Sequence, residues 1–284
     1  VQQKAAQTLK FVATTAHLPR LFDELEKGEN KYSAELQAAA NAVLSKLPVQ
    51  QQLSVITGRM SKSATPSVYY GSLANSGSKK ALDIILDGYR QSGKSTEAAF
   101  KALVSIKTFD AVYPLLDIAR AGINAQDVSK AVDALIALIS TSDKTGIVKA
   151  NYLQEVMAFA KTDRQKVAIL NQLGATNSFQ ALLFIEPFLE VSQLAEPAAQ
   201  AGMKIALNTP EVAGAVTRRI LTKISSVLSN PDAAYQRQAI DKYLSETKNT
   251  EGYVPIFNGK DLTGWKGLVG NPVSRAKMKP QELA

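Results

Sequence analysis

Four times in this chain an aliphatic residue closing one helical stretch is followed, four positions on, by a residue suited to cap the next helix. The pairs are Ile106 with Asp110, Ile139 with Asp143, Leu173 with Asn177 and Leu207 with Glu211, and the anchors are 33, 34 and 34 residues apart. A step of 33 back from Ile106 reaches Leu73, ahead of the turn Ala74-Asn75-Ser76-Gly77, and a step of 33 forward from Leu207 reaches Ile240. A fixed period of roughly 20 to 50 residues belongs to architectures in which one small unit recurs. Such a unit cannot bury its apolar face alone, so it must stack on its neighbours.

The unit itself is a pair of helices. Over 127–139 the apolar residues Val128, Ala131, Val132, Leu135 and Ile139 fall at i, i+3, i+4, i+7 and i+11, which is one helix face. Residues 98–106 followed by 110–120 give a whole hairpin, with Asp110, Asp143 and Asn177 expected to accept from the free N–H groups that open each second helix. No strand-like alternation precedes Tyr253.

An alanine-rich first helix, a polar turn with Asp and a Val-x-x-Leu-Leu second helix together resemble a HEAT-type repeat, as do residues 5–26 and 170–190. Leu47-Pro48 disturbs the spacing between 12 and 73, so one repeat there is expected to be distorted. The resemblance implies an all-α fold, a right-handed α–α superhelix of the HEAT or armadillo kind, with about seven repeats of period about 33 over residues 1–247.

The totals fit a packed soluble chain: 45% of residues are hydrophobic and 20% charged, so disorder is not expected. The absence of cysteine excludes disulfides and thiolate chemistry. The formal charge of +8 would suit an anionic partner, but Lys and Arg are dispersed instead of gathered in runs, which reads as solvated helix faces. No apolar run reaches the eighteen or so residues of a membrane span.

After a polar linker at 248–252 the pattern changes. Gly252-Tyr253-Val254-Pro255 leads into Phe257-Asn258-Gly259-Lys260-Asp261-Leu262-Thr263-Gly264-Trp265, which reads as two short strands joined at Asn258-Gly259. Phe257, Asn258, Gly259, Asp261, Leu262, Gly264 and Trp265 resemble the opening of the 3-keto-disaccharide hydrolase domain family, a jelly-roll related to concanavalin-like lectins. The resemblance covers about residues 251–284, and places the truncated start of such a domain at 253–284. It implies an exported, periplasmic or cell-surface bacterial protein that processes sugars, and carbohydrate as a ligand of the missing remainder of that domain.

Other candidates have structural readings. Gly88-Tyr89-Arg90-Gln91-Ser92-Gly93-Lys94-Ser95 satisfies the phosphate-binding loop pattern. That loop needs a strand before it, whereas residues 80–87 suit a helix; Gly88 or Gly93 is expected to end a helix and Ser95 to cap the next. His17, the single histidine, reads as a turn or cap residue. Tyr69 and Tyr70 read as filling between helices. No catalytic residue, metal site or cofactor is assigned. The chain is expected to be a non-catalytic scaffold that engages a protein, or its own C-terminal domain, through the repeat surface; an independent solenoid holding a protein or a polyanion such as nucleic acid is the alternative.

Overall fold

The structure, a computed structural model, describes residues 2–28, 31–91, 93–209, 214–247, 260–261, 263, 271–279 and 281–282. It is all-helical among these residues. In chain order the helices are α1 (Gln2–Val12), α2 (Leu18–Glu26), α3 (Ser33–Leu44), α4 (Val49–Met60), α5 (Tyr70–Ser76), α6 (Lys79–Arg90), α7 (Lys94–Leu103) and α8 (Val112–Ala121). There follow α9 (Ala125–Thr141), α10 (Gly146–Met157), α11 (Asp163–Gly174), α12 (Phe179–Ile185), α13 (Ala195–Asn208), α14 (Ala215–Val227), α15 (Ala233–Glu246) and the short α16 (Pro272–Arg275). Short 3₁₀ turns lead into α2, α5 and α8 and extend α12.

From α2 onward each even-numbered helix packs against the odd-numbered one that follows it, through α14 on α15. The odd helices also pack on one another, α1 on α3, α3 on α5, α5 on α7, α9 on α11, α11 on α13 and α13 on α15. One apolar cluster runs between these contacts from Ala13 to Ile240. The anchors read from the sequence lie in it: Leu73, Ile106, Ile139, Leu173 and Ile240 are buried, and Leu207 is half-buried against it. Burying each such side chain contributes on the order of 1.5–3 kcal/mol, so the stability of the fold resides here.

Polar side chains then link elements about one period apart. On the odd helices, Gln37 Nε2 donates to Ser72 Oγ at 2.6 Å and Asn75 Nδ2 to Ser45 Oγ at 3.1 Å. Gln165, fully buried, donates to the Ser129 carbonyl and to Asp133 Oδ1, both at 3.0 Å. Gln200 and Gln236 exchange amide hydrogen bonds, and Asn230 donates to Glu196. Charged links lie mostly on the even side, where Arg59 meets Asp23, Arg120 meets Glu155, Arg219 meets Glu186 and Lys223 meets Glu190, while Arg164 meets Asp133 between α11 and α9. All these links join residues 30 to 36 apart in sequence. Links outside that window include Tyr69 to Glu26, Tyr152 to Tyr113, Tyr70 with Ser95, and Arg218 to the carbonyls ending α15. Exposed ion pairs contribute only about 0–1 kcal/mol each, so the charged links fix register more than they add strength.

Glu186 shows how one such link senses pH. Its burial disfavours the charged form, but hydrogen bonds from Arg219 and Lys223 outweigh that and hold its carboxyl below the ordinary range. A carboxylate depressed in the folded state stabilises at pH above its unfolded value of about 4.3 and loses that contribution as pH falls through the folded value. Glu186→Gln is therefore expected to lower stability at neutral pH and to flatten the acid limb of a urea-midpoint-against-pH curve. Equal acid sensitivity in both proteins would contradict the assignment.

The caps differ from the sequence reading. Asp110 lies inside the 3₁₀ turn that Thr108 precedes, Asp143 is an exposed loop residue two positions before Thr145, and Asn177 takes a positive φ of 49° one position before Ser178. Thr108 precedes the 3₁₀ turn, and Thr145 and Ser178 stand at the N-cap positions of α10 and α12; all three are in extended backbone, and their side chains make no capping hydrogen bond. The turn geometry, with a short 3₁₀ segment or a left-handed residue, shifts the helix start by one or two positions. Ile240 sits in the middle of α15, not at its end. The strands expected around Asn258-Gly259, the linker at 248–252, and Phe257, Asn258, Gly259, Leu262, Gly264 and Trp265 lie outside the described residues.

Candidate binding groove

The stacking of odd helices is interrupted once. α6 packs on α7 and α8 on α9, but α7 and α9 do not lie side by side as their odd neighbours do. Between them is a groove of about 920 Å³, within the roughly 300–1,000 Å³ typical of ligand sites. Its apolar part comes from Tyr89, Phe100, Val104, Ile118 and Ala121, and its polar part includes Glu97, Lys101, Asp127 and Lys130. The Tyr89 and Phe100 rings are tilted, with centroids 6.0 Å apart. Burial raises the Tyr89 phenol above its ordinary value, and the Asp127 charge adds to the shift, so the phenol stays protonated through neutral pH.

Two turns shape the groove. Gly122 ends α8 in the left-handed region at φ 63°, its N–H donating to the Ile118 carbonyl. Glycine takes that conformation without steric cost. Asn124 then opens α9, its side chain accepting from the N–H groups of Gln126 at 2.8 Å and Asp127 at 3.3 Å. Ile123, held between a C-terminal glycine and an N-terminal cap, projects outward at the groove mouth and is 91% exposed. On the other wall Gly93, with φ 101°, opens α7.

The phosphate-loop-like stretch borders this groove but has a different geometry. Gly88 is buried within α6, where an added Cβ would overlap the Tyr70 hydroxyl. The helix continues to Arg90, and α7 begins at Lys94. Gly93, not Ser95, holds the cap position, and the Ser95 hydroxyl hydrogen-bonds Tyr70 at 3.0 Å. A helix thus stands where phosphate binding requires a strand.

His17 closes the 3₁₀ turn before α2, where its Nδ1 accepts from the Thr14 N–H at 3.1 Å. It lines a smaller pocket of about 330 Å³ with Leu9, Val12, Ala13, Leu21 and Leu36. Tyr69 is buried, 5.1 Å from the Phe22 ring, and donates to Glu26; burial and that bond push its phenol up to about 12. Of the motif at 257–265, Asp261 is described: its Oδ1 accepts from the Thr263 N–H at 2.8 Å. The groove itself went unread in the sequence because its lining comes from separate short pieces. The available signal was Gly122-Ile123-Asn124, an aliphatic residue between a stop and a start.

Among the described residues no helix is long and apolar enough to cross a membrane. Compared with protein-family models, curated proteins and solved structures, the chain matches none of them.

Proposed function

We propose that this chain is a helical-repeat binding scaffold, a right-handed α–α solenoid of about seven HEAT-like units over residues 1–247, that presents the groove between α7 and α9 to a partner. The observation carrying this reading is the recurrence of side-chain links between residues 30 to 36 apart. It matches the spacing of the buried anchors, as expected when each unit rests chiefly on the next. The chemistry-bearing groups support the same reading: Asp23, Glu26, Asp133, Glu155, Glu186 and Glu196 are each engaged in linking elements. Excising residues 143–176, one period, is then expected to leave a shorter, cooperatively folded helical protein by circular dichroism and thermal melting. Collapse to a molten or aggregated chain would count against a repeat array.

The likeness of Phe257 to Trp265 to a 3-keto-disaccharide hydrolase domain extends the proposal. The scaffold would sit ahead of a sugar-processing domain in an exported protein, positioning it or engaging it through the repeat surface. In an assay with a 3-keto-glycoside the chain alone is expected to show no turnover. Measurable hydrolysis by the purified chain would overturn the scaffold assignment.

A further inference from the structure

We infer that the α7–α9 groove is the contact between two copies of this chain, each placing its Ile123 into the other's groove. The inference rests on reading the groove as the binding face of the scaffold and names its partner.

Two independent features point to self-association. The first is steric. Ile123 is the most exposed of the large apolar side chains among the described residues, and it stands at the mouth of a groove floored by Phe100, Val104 and Ile118. A projecting aliphatic group and a cavity suited to receive one thus share a single face. A two-fold contact requires this, because the same patch must serve as both donor and acceptor of the anchor. A groove built for an unrelated peptide has no need of a plug at its own rim.

The second feature is charge. Glu97 and Asp127 bring negative charge to the groove, Lys101 and Lys130 positive. Among the described residues none of the four has an ion-pair partner, although Asp23, Glu155, Glu186 and Glu190 on other elements do. A rim of one sign would repel its own copy. A rim carrying two of each can set acids against lysines across a two-fold axis, and that complementarity selects the partner and its orientation.

Sedimentation velocity of the full chain from micromolar concentration to about 0.1 mM tests this, in the range where modest interfaces associate. The wild type is expected to show a reversible monomer–dimer equilibrium, and Ile123→Asp to weaken it about tenfold or more, as loss of a central anchor does. Ile123 is exposed, so its variant should keep the parent's helical spectrum and melting curve. Two further variants make one rim wholly acidic, Lys101→Glu with Lys130→Glu, and one wholly basic, Glu97→Lys with Asp127→Lys. Each alone is expected to be monomeric, and their mixture to form a mixed dimer. A wild type monomeric throughout, or a dimer unmoved by Ile123→Asp and by the rim variants, would remove the inference. Because the array is tested separately by excision of residues 143–176, a monomer whose shortened form still folds leaves the scaffold reading intact and rejects the dimer alone.

Discussion

Alanine in place of Ile139 is expected to destabilise the chain by about 2–5 kcal/mol, as is alanine at Leu73 or Leu173. All three side chains are fully buried in the continuous apolar cluster. Their removal takes away both transfer energy and contacts that a packed interior does not refill. Against a total stability on the order of 5–15 kcal/mol, one such change removes a large share. Leu207 supplies the contrast, since it holds the same position in the period but is only half-buried. Less of its surface leaves water on folding, so its alanine variant should cost clearly less. Urea denaturation followed by far-UV circular dichroism makes the comparison. The midpoint should fall for the three buried anchors, with an unchanged slope showing that the unfolded reference is the same. If Leu207→Ala proved as damaging as Ile139→Ala, the period would mark sequence pattern without marking packing.

How much of this was legible beforehand differs by level. The buried anchors were readable because hydrophobic spacing is a direct record of which face leaves water: Ile106, Ile139 and Leu173 follow the period and are buried. All-helical structure was readable for the same reason. The caps were not, because the path of the turn decides which residue stands at the helix start, and at Thr108, Thr145 and Ser178 it leaves the side chain without a capping bond. At 177 that path passes through a left-handed residue, which puts Ser178 at the N-cap position. The groove was the least legible feature. Tyr89 and Phe100 have the periodicity of ordinary core residues, and nothing local to either indicates that α7 and α9 part. Of the apolar residues at the groove, Ile123 is the one that breaks a local rule, an aliphatic side chain left in water between two structural stops. The phosphate-loop-like stretch misleads in the opposite direction. Its Gly88 is accounted for by the Tyr70 side chain packed against it, a contact that no motif encodes.

Glycine-to-alanine exchanges test the packing between turns with opposite expected signs. Gly146 opens α10, and a Cβ there would overlap the backbone carbonyl of Thr176. Helix propensity alone would favour alanine by at most about 0.5–1 kcal/mol, the value for a helix interior. The overlap opposes it, and forcing an extra methyl into a filled site typically costs about 1–3 kcal/mol. Which wins depends on whether the neighbour can yield. Here the neighbour is main chain, and the Thr176 N–H and hydroxyl both donate to the Leu173 carbonyl, at 3.0 and 2.7 Å. Moving that carbonyl would disturb the end of α11 as well as the turn, so Gly146→Ala is expected to be net destabilising. Gly58 lies in α4 with nothing within 4 Å of its would-be Cβ. There the same exchange should stabilise by about 0.4–1 kcal/mol, chiefly by restricting the unfolded chain. Thermal melts of the two variants beside the parent should therefore move in opposite directions. If both rose, the turn at 142–146 would not be packed against the turn at 175–178, and the stacking of successive hairpins along that edge would have to be abandoned.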